Sequence, residues 1–471
     1  MKKHRLTIFI FALMLLQCAN IFAQQAGKTD AIYSGLPWYD QNGKVVSAHG
    51  ANIVQENGKF YLFGEAHSDT SNAFAGFNCY SSKDLYNWKF ESVALPVQKN
   101  GKLGANRVGE RVKVMKNPFS GEFIMLMHVD TLGYKDQFVG YATAKNIAGP
   151  YQFKGPLLFK GKPIKKWDMG TFQDDDGTGY LLTHGGMIHQ LSKDFKSIIA
   201  EINPAITTGF ESPTLFRKNN TYYFIGSHLT SWEKNDNYYY TAKSLYGPWT
   251  ARGLLAPKDK LTWNSQATFV LKISGTKDTT FMFMGDRWSF PKQLSSATYV
   301  WQPITFKGDS ISIPQYLNAW TINLNTGTAN PKSIIRKTIL PGDQTISLTG
   351  NWKYSTIDSI SIIRSDETKA SLSFKFNGKQ IGLYAVLLPD NGYAKVEIRD
   401  KKGKTIMSNI IDLYSKSPML QLAFLSPVLP KSDYNLTVSV LGERPNWSDK
   451  RKSLYGSTGN NITIAKLIIQ E

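Results

Sequence analysis

The chain has 471 residues, with 55 Lys and Arg against 36 Asp and Glu, a formal net charge of +19. Two cysteines exclude a disulfide-knit scaffold, and a hydrophobic content of 42 % with 13 % aromatics excludes a disordered chain. The lysines are scattered among apolar runs and turns, with no basic helix or Arg-rich tract, so a nucleic-acid partner is not expected. A solvated basic surface is the plain reading, and attraction to an acidic polysaccharide is the sharper one.

The chain opens Met1-Lys2-Lys3-His4-Arg5, runs apolar from Leu6 to Leu16, and reaches Ile21-Phe22-Ala23 before Gln24. That pattern predicts a secretory signal peptide over residues 1–23, too short to stay as a membrane-spanning helix. An exported protein is expected, periplasmic or secreted. A cell-surface lipoprotein anchored at Cys18 ranks second, because Gln17 is larger than the small residue that usually precedes a lipidated cysteine. The mature chain keeps only Cys79, so its stability must come from core burial.

Amphipathic helical patterns are nearly absent. Short aromatic and β-branched runs recur between Asn-Gly, Asp-Gly and Gly-Pro turns, which predicts an all-β chain. From Trp38 to Thr326 a unit repeats at the spacing of a propeller blade. The first unit holds Ala48 to Val54, the turn Glu56-Asn57-Gly58 and Phe60 to Glu65. The second holds Glu110 to Val114 and Glu122 to His128. The third holds Asp168 to Phe172, the turn Asp174-Asp175-Asp176-Gly177 and Tyr180 to Leu182. The fourth holds Phe210 to Phe216 and Tyr222 to Gly226, and the fifth Asn264 to Val270 and Phe281 to Trp288. The Asp-rich turn lacks the spacing of a calcium loop and reads as a tight hairpin. Strands that cannot bury both faces alone are satisfied by radial stacking, so residues 24–328 are expected to form a five-bladed β-propeller. The pieces near Ile32 and Trp320 are expected to help close the ring.

Glutamate is a poor strand residue, and Glu211 opens an apolar run. Alone it would read as a solvated strand end. In a propeller, however, the residues that open the innermost strands converge on one end of the axis. Those residues are His49, Glu110, Asp168, Glu211 and Gln266. Three converging carboxylates suggest a site in which repulsion and desolvation raise at least one carboxyl pKa. His49 and His184 are too isolated for a metal cluster. No metal site is assigned and no cofactor is required, with a structural cation in the propeller channel as the alternative.

After Asn330-Pro331-Lys332 the pattern becomes clean alternation, with Leu372, Phe374 and Phe376 against Ser373 and Lys375, and Ala394, Val396 and Ile398 against Lys395 and Glu397. Residues 329–471 are therefore expected to form a β-sandwich, jelly-roll-like, that binds glycan or braces the propeller. Trp447 and Tyr455, in a late loop, are candidates for stacking on a sugar ring or for packing.

These motifs together resemble glycoside hydrolase family 43, and within it the exo-β-1,3-galactanase branch. The resemblance rests on Trp38-Tyr39-Asp40, Ala48-His49-Gly50, Tyr80 to Trp88, Glu110-Arg111-Val112-Lys113-Val114, Met127-His128-Val129-Asp130, Trp167-Asp168-Met169, Glu211-Ser212-Pro213, Asn264 to Thr268 and Met284 to Trp288. It implies an exo-acting, inverting hydrolase that releases galactose from β-1,3-galactan, the backbone of type II arabinogalactan, and a monomer is expected. It implies Glu211 as general acid, Asp168 as the residue that orients it, Glu110 as sugar anchor or base, and Gln266 as the amide that positions or activates water. His49, Glu65, Tyr134, Trp232, Asp286, Arg287 and Trp288 are assigned to substrate binding. His49 stands where most of the family carries a base aspartate. Two alternatives remain open at this point: another specificity of the family, arabinofuranosidase or galactofuranosidase, and a non-catalytic glycan-binding propeller.

Overall fold

The structure, a computed structural model, describes residues 28–334, 336–447 and 455–471. The expected signal peptide and Cys18 lie outside the described residues. Among those residues strands dominate, and the only helical segments are the four-residue pieces Leu261–Asn264, whose backbone is left-handed, and Gln293–Ser296. No helix among them is long and apolar enough to cross a membrane.

Five sheets follow one another along the first two thirds of the chain, antiparallel except where Leu158–Phe159 pairs parallel with Ser197–Asn203 in the third. Their first strands are His49–Glu56, Arg107–Lys116, Gly170–Gln173, Phe210–Lys218 and Gln266–Ser274, and each is hairpinned to the next strand in sequence. The packing follows from the two-residue period of a strand. In Phe123–Thr131 every residue but the last is buried. Met125, Met127 and Val129 face the first sheet's Phe63 and Phe77, while Ile124 and Leu126 face the third sheet's Leu181 and Leu191. The same partition recurs along Thr279–Arg287. There Phe281 and Phe283 join the fourth sheet's Tyr223 and Ile225, whereas Met282 and Met284 join the first sheet's Ile53 and Leu62. The succession of cores thus returns from the fifth sheet to the first. Ile32–Tyr33 pairs with Ala319–Asn323, Ile32 opposite Trp320, and both side chains seal the core between the fifth and first sheets.

The remaining chain forms two further sheets. One contains Ser371–Gly378, Tyr393–Asp400 and Ser432–Val440, the other Gln380–Leu387, Met419–Leu425 and Ile462–Gln470. Alternate residues of both, among them Phe374, Val396 and Val438 against Leu383, Ala385 and Leu467, share one buried core. This unit also packs on the first: Leu422, Leu425 and Ile468 cover Ala31, Tyr33 and Leu36.

Candidate active site

The first strands are kinked where they carry polar side chains. Pairing slips between His49 and Asn52, between Glu110 and Lys113, and between Glu211 and Thr214. At each slip the residue after the first named one is left-handed: Gly50 with φ of 62°, Arg111 with 55° and Ser212 with 60°. Such bulges bend a strand and re-aim its side chains. Two of the three are not glycine and carry strain of about 1–3 kcal/mol each, conformations that persist only where the surroundings enforce them. Gly50 is the one of the three that suits its left-handed φ, and an added Cβ there would also meet Glu65 Oε1. The residues predicted to open these strands are not all strand-openers: Glu110 is fourth in its strand, and Asp168 precedes its own.

Arg111 organises the site. Its Nε lies 2.5 Å from Asp168 Oδ1, its Nη2 donates to Gln266 Oε1 at 2.6 Å, and its backbone N–H donates to Glu65 Oε1 at 2.7 Å. Its guanidinium also stands 5.3 Å from the Trp288 ring. The second oxygen of Asp168 accepts the Ser212 N–H, fixing the bulge that aims Glu211. Gln266 Oε1 accepts from Trp288 Nε1 as well, at 2.9 Å, while Nε2 donates to Glu211 Oε1 at 3.0 Å and to Ser227 Oγ at 2.9 Å. Two obligate donors at the oxygen fix which end of the amide is which.

Glu211 and Glu110 are the half-buried carboxylates of this cluster; Asp168, Glu65 and Asp286 are buried. Burial, reinforced by the negative charge of Asp168, pushes the Glu211 carboxyl well above the ordinary range, and the Arg111 charge only partly opposes this. At Glu110 burial also pushes upward, but the hydrogen bond and charge of His128 outweigh it, helped by the Tyr134 hydroxyl, and the carboxyl ends below the ordinary value. His128 Nδ1 is 3.1 Å from Glu110 Oε2, and Tyr134 donates to Oε1 at 2.7 Å. Burial disfavours the His128 cation, yet the Asp130 and Glu110 carboxylates lift its pKa to about 9. The two carboxyls are thus pushed in opposite directions, Glu211 upward and Glu110 downward, the kind of divergence on which acid–base chemistry draws.

The residues assigned from sequence to substrate binding separate into three groups. Tyr134, through its bond to Glu110, and the half-buried Trp232, edge-on to Trp288 at 4.9 Å, belong to the open part of the site. His49, Glu65, Asp286 and Trp288 lie beneath it and support it. His49 is 1 % exposed and stacks on Tyr299 at 4.4 Å. Asp286 accepts the Gly50 N–H at 3.1 Å, and burial lifts its carboxyl pKa to about 7 against the pull of Arg111. Arg287 does not belong to the site. Its guanidinium donates to Asn264 O and Trp263 O at 3.0 and 2.9 Å, holding Leu261–Asn264, a turn whose four φ values of 47–59° are left-handed and costly without glycine. Its remaining nitrogen reaches Gln421 of the second unit at 3.1 Å.

Sequence reasoning quoted Arg111, His128 and Lys113 within motifs but gave them no role in the site. Lys113 is 1 % exposed, donates to Gly50 O at 2.6 Å, and is lowered by burial to a pKa of about 7. The available signal was the run Glu110-Arg111-Val112-Lys113, three charges in a strand that must be buried. Among the described residues no group of three or more His, Cys, Asp or Glu side chains is placed to hold a metal ion.

The profile of glycosyl hydrolases family 43 matches residues 45–267. The exo-β-1,3-galactanase of Phanerochaete chrysosporium, solved with galactose, is 26 % identical. That match covers 93 % of this chain and all of the other, with a TM-score of 0.71. Variants of that enzyme with one glutamate changed to glutamine or to alanine were solved with β-1,3-galactotriose. A Bifidobacterium bifidum protein assigned as an exo-β-1,3-galactanase is 33 % identical over 59 % of this chain and 95 % of its own, with a TM-score of 0.55. The arabinoxylan arabinofuranohydrolase of Bacillus subtilis is 27 % identical over 228 residues, which span 39 % of this chain and 43 % of that enzyme. This chain therefore spans less than half the length of that curated relative.

Proposed function

Because the chain belongs to glycosyl hydrolases family 43, we propose that it is an exo-acting, inverting hydrolase that releases galactose from β-1,3-galactan. The observation that carries this reading is the opposed tuning of Glu211 and Glu110 at the meeting point of the sheets. The Phanerochaete chrysosporium structures with galactose and β-1,3-galactotriose support the substrate class. We read the five sheets as blades of one propeller, with the site at one end of its axis. The leader at residues 1–23 belongs to the same proposal: an exported enzyme meeting its glycan outside the cytoplasm.

In the mechanism, protonated Glu211 gives its proton to the glycosidic oxygen as the C1–O bond breaks. Water attacks C1 from the opposite face and loses its proton to Glu110. Each Glu110 oxygen accepts one hydrogen bond, so each keeps a lone pair for water. Gln266 is the orienting amide rather than the base. Its oxygen faces the N–H groups of Arg111 and Trp288, and the imidic acid form, whose oxygen carries a proton, would set a third donor against those two. Asp168 orients Glu211 through Ser212 and raises its pKa.

Proton NMR of the first sugar released from β-1,3-galactan tests the reaction. α-Galactose from the chain end is expected. β-Galactose first would overturn inversion, long oligosaccharides would overturn the exo mode, and arabinose released only from arabinoxylan would move the assignment to the specificity of the Bacillus subtilis relative. Glu110→Ala is expected to lose about 10²–10⁴-fold in rate and to regain activity with azide, giving α-galactosyl azide. Azide rescue of Gln266→Ala instead would transfer the base role to Gln266.

A further inference from the structure

The segment between Thr221–His228 and Tyr238–Ala242 carries Trp232, whose ring meets Trp288 edge-on, and Trp288 in turn donates to Gln266. The two residues after Trp232 are charged and buried: Glu233 is 4 % exposed and Lys234 1 %. Buried charges are costly unless paired and hydrogen-bonded, and here much of the pairing comes from the second unit. Glu233 Oε2 accepts the Tyr414 hydroxyl at 2.6 Å and the Gly456 N–H at 3.2 Å, while Oε1 accepts the Lys234 N–H at 3.1 Å. Lys234 Nζ donates to Trp288 O at 3.2 Å and lies 4.6 Å from the Trp447 ring and 5.3 Å from that of Tyr414. Beside it Ser289 donates to Asp412 at 2.9 Å. Trp447, read from sequence as a candidate for sugar stacking or for packing, is 3 % exposed and occupied by this cation.

We propose that Tyr414 and Trp447 are positioning residues for hydrolysis. By hydrogen-bonding Glu233 and caging Lys234 they hold the 229–237 segment, so that Trp232, backed edge-on by the buried Trp288, presents a fixed aromatic wall to the galactosyl ring. The second unit then completes the substrate site without touching the sugar, which rests on the galactanase reading above. Aromatic walls hold ground state and transition state alike, so loosening this one raises KM more than it lowers kcat.

The test compares Tyr414→Phe, which removes one hydroxyl, Trp447→Phe, which keeps an aromatic face for Lys234, and Trp447→Leu, which does not. Each is measured in the full chain with β-1,3-galactotriose and by hydrogen exchange of residues 229–237. Leu436→Ala, in the core of the second unit, serves as a stability control. For Tyr414→Phe and Trp447→Leu, KM is expected to rise about tenfold with kcat within about threefold, alongside faster exchange of 229–237. Trp447→Phe should stay near wild type, and Leu436→Ala should lower Tm with KM unchanged. The inference is overturned if Tyr414→Phe keeps wild-type KM and exchange, or if Leu436→Ala raises KM equally. Should wild-type protein leave β-1,3-galactotriose intact, the galactanase reading fails. Exchange then decides the clamp alone: faster in Tyr414→Phe supports it, unchanged overturns it.

Discussion

Glu211→Gln is expected to bind β-1,3-galactotriose as wild type does and to lose about 10²–10⁴-fold in kcat, roughly 3–5 kcal/mol of barrier. Glutamine keeps the size of the side chain and can still meet Gln266, which donates to Glu211 Oε1. It removes only the transferable proton. The same substitution is expected to change how stability depends on pH. Burial and the charge of Asp168 raise the carboxyl pKa of Glu211 in the folded protein. A group with a raised folded pKa contributes stability that is fully present below its unfolded pKa and is lost as pH rises through the folded one. Glu211→Gln has no such group, so its Tm should exceed that of wild type increasingly from acid to mildly alkaline pH. Calorimetry from pH 5 to 8.5 reads this difference, and kcat on unactivated galactan reads the first. A variant with most of its turnover would remove Glu211 from the acid role. A Tm difference that shrinks with rising pH would mean that the wild-type carboxyl is ionised in the fold.

What the sequence made legible was what the repeat repeats. Glu110, Asp168, Glu211 and Gln266 lie near the starts of the first strands of successive sheets, though not at one strand position, and the structure links Asp168, Glu211 and Gln266 through Arg111 and Ser212. The alternation of Leu372, Phe374 and Phe376 led directly to a buried face. Arg111 was not legible, because in a regular strand Arg111 and Lys113 would share the face opposite Val112 and Val114 and would be read as solvated. The bulge after Glu110 breaks that regularity, and a backbone φ of 55° at an arginine is invisible in the letters. Arg287 failed for a related reason. Next to the buried Asp286 and Trp288 it looked like part of one motif, but its side chain supports a left-handed turn whose residues carry no glycine to announce it. Tyr414 lies almost two hundred residues from Glu233, a pairing no local pattern predicts.

Arg111→Lys is expected to leave a folded protein with kcat/KM lowered about 10²–10³-fold, a loss comparable to that of a preorganised catalytic hydrogen bond. Lysine retains the charge, so Asp168, Glu65 and Asp286 are not left as an uncompensated buried cluster, a condition that costs roughly 3–5 kcal/mol when a buried partner is deleted. What it cannot retain is the fork. One ammonium cannot meet Asp168 Oδ1 from Nε and Gln266 Oε1 from Nη2 at once, positions that the planar guanidinium bridges at 2.5 and 2.6 Å. If lysine follows Asp168, the Gln266 oxygen keeps Trp288 alone and the amide gains freedom to turn, weakening its hold on Glu211. If lysine follows Gln266, Asp168 loses its closest cation. The charge that lowers the Glu211 pKa then moves away, and the alkaline limb of kcat/KM shifts upward. The pH profile therefore reports which partner lysine keeps: an unmoved alkaline limb with reduced kcat assigns it to Asp168, and a raised limb assigns it to Gln266. Arg111→Met, which removes the charge as well, should fall far below Arg111→Lys in Tm. If Arg111→Lys instead matched wild type in kcat/KM and pH profile, charge alone would suffice and the bidentate bridge would have no part in catalysis.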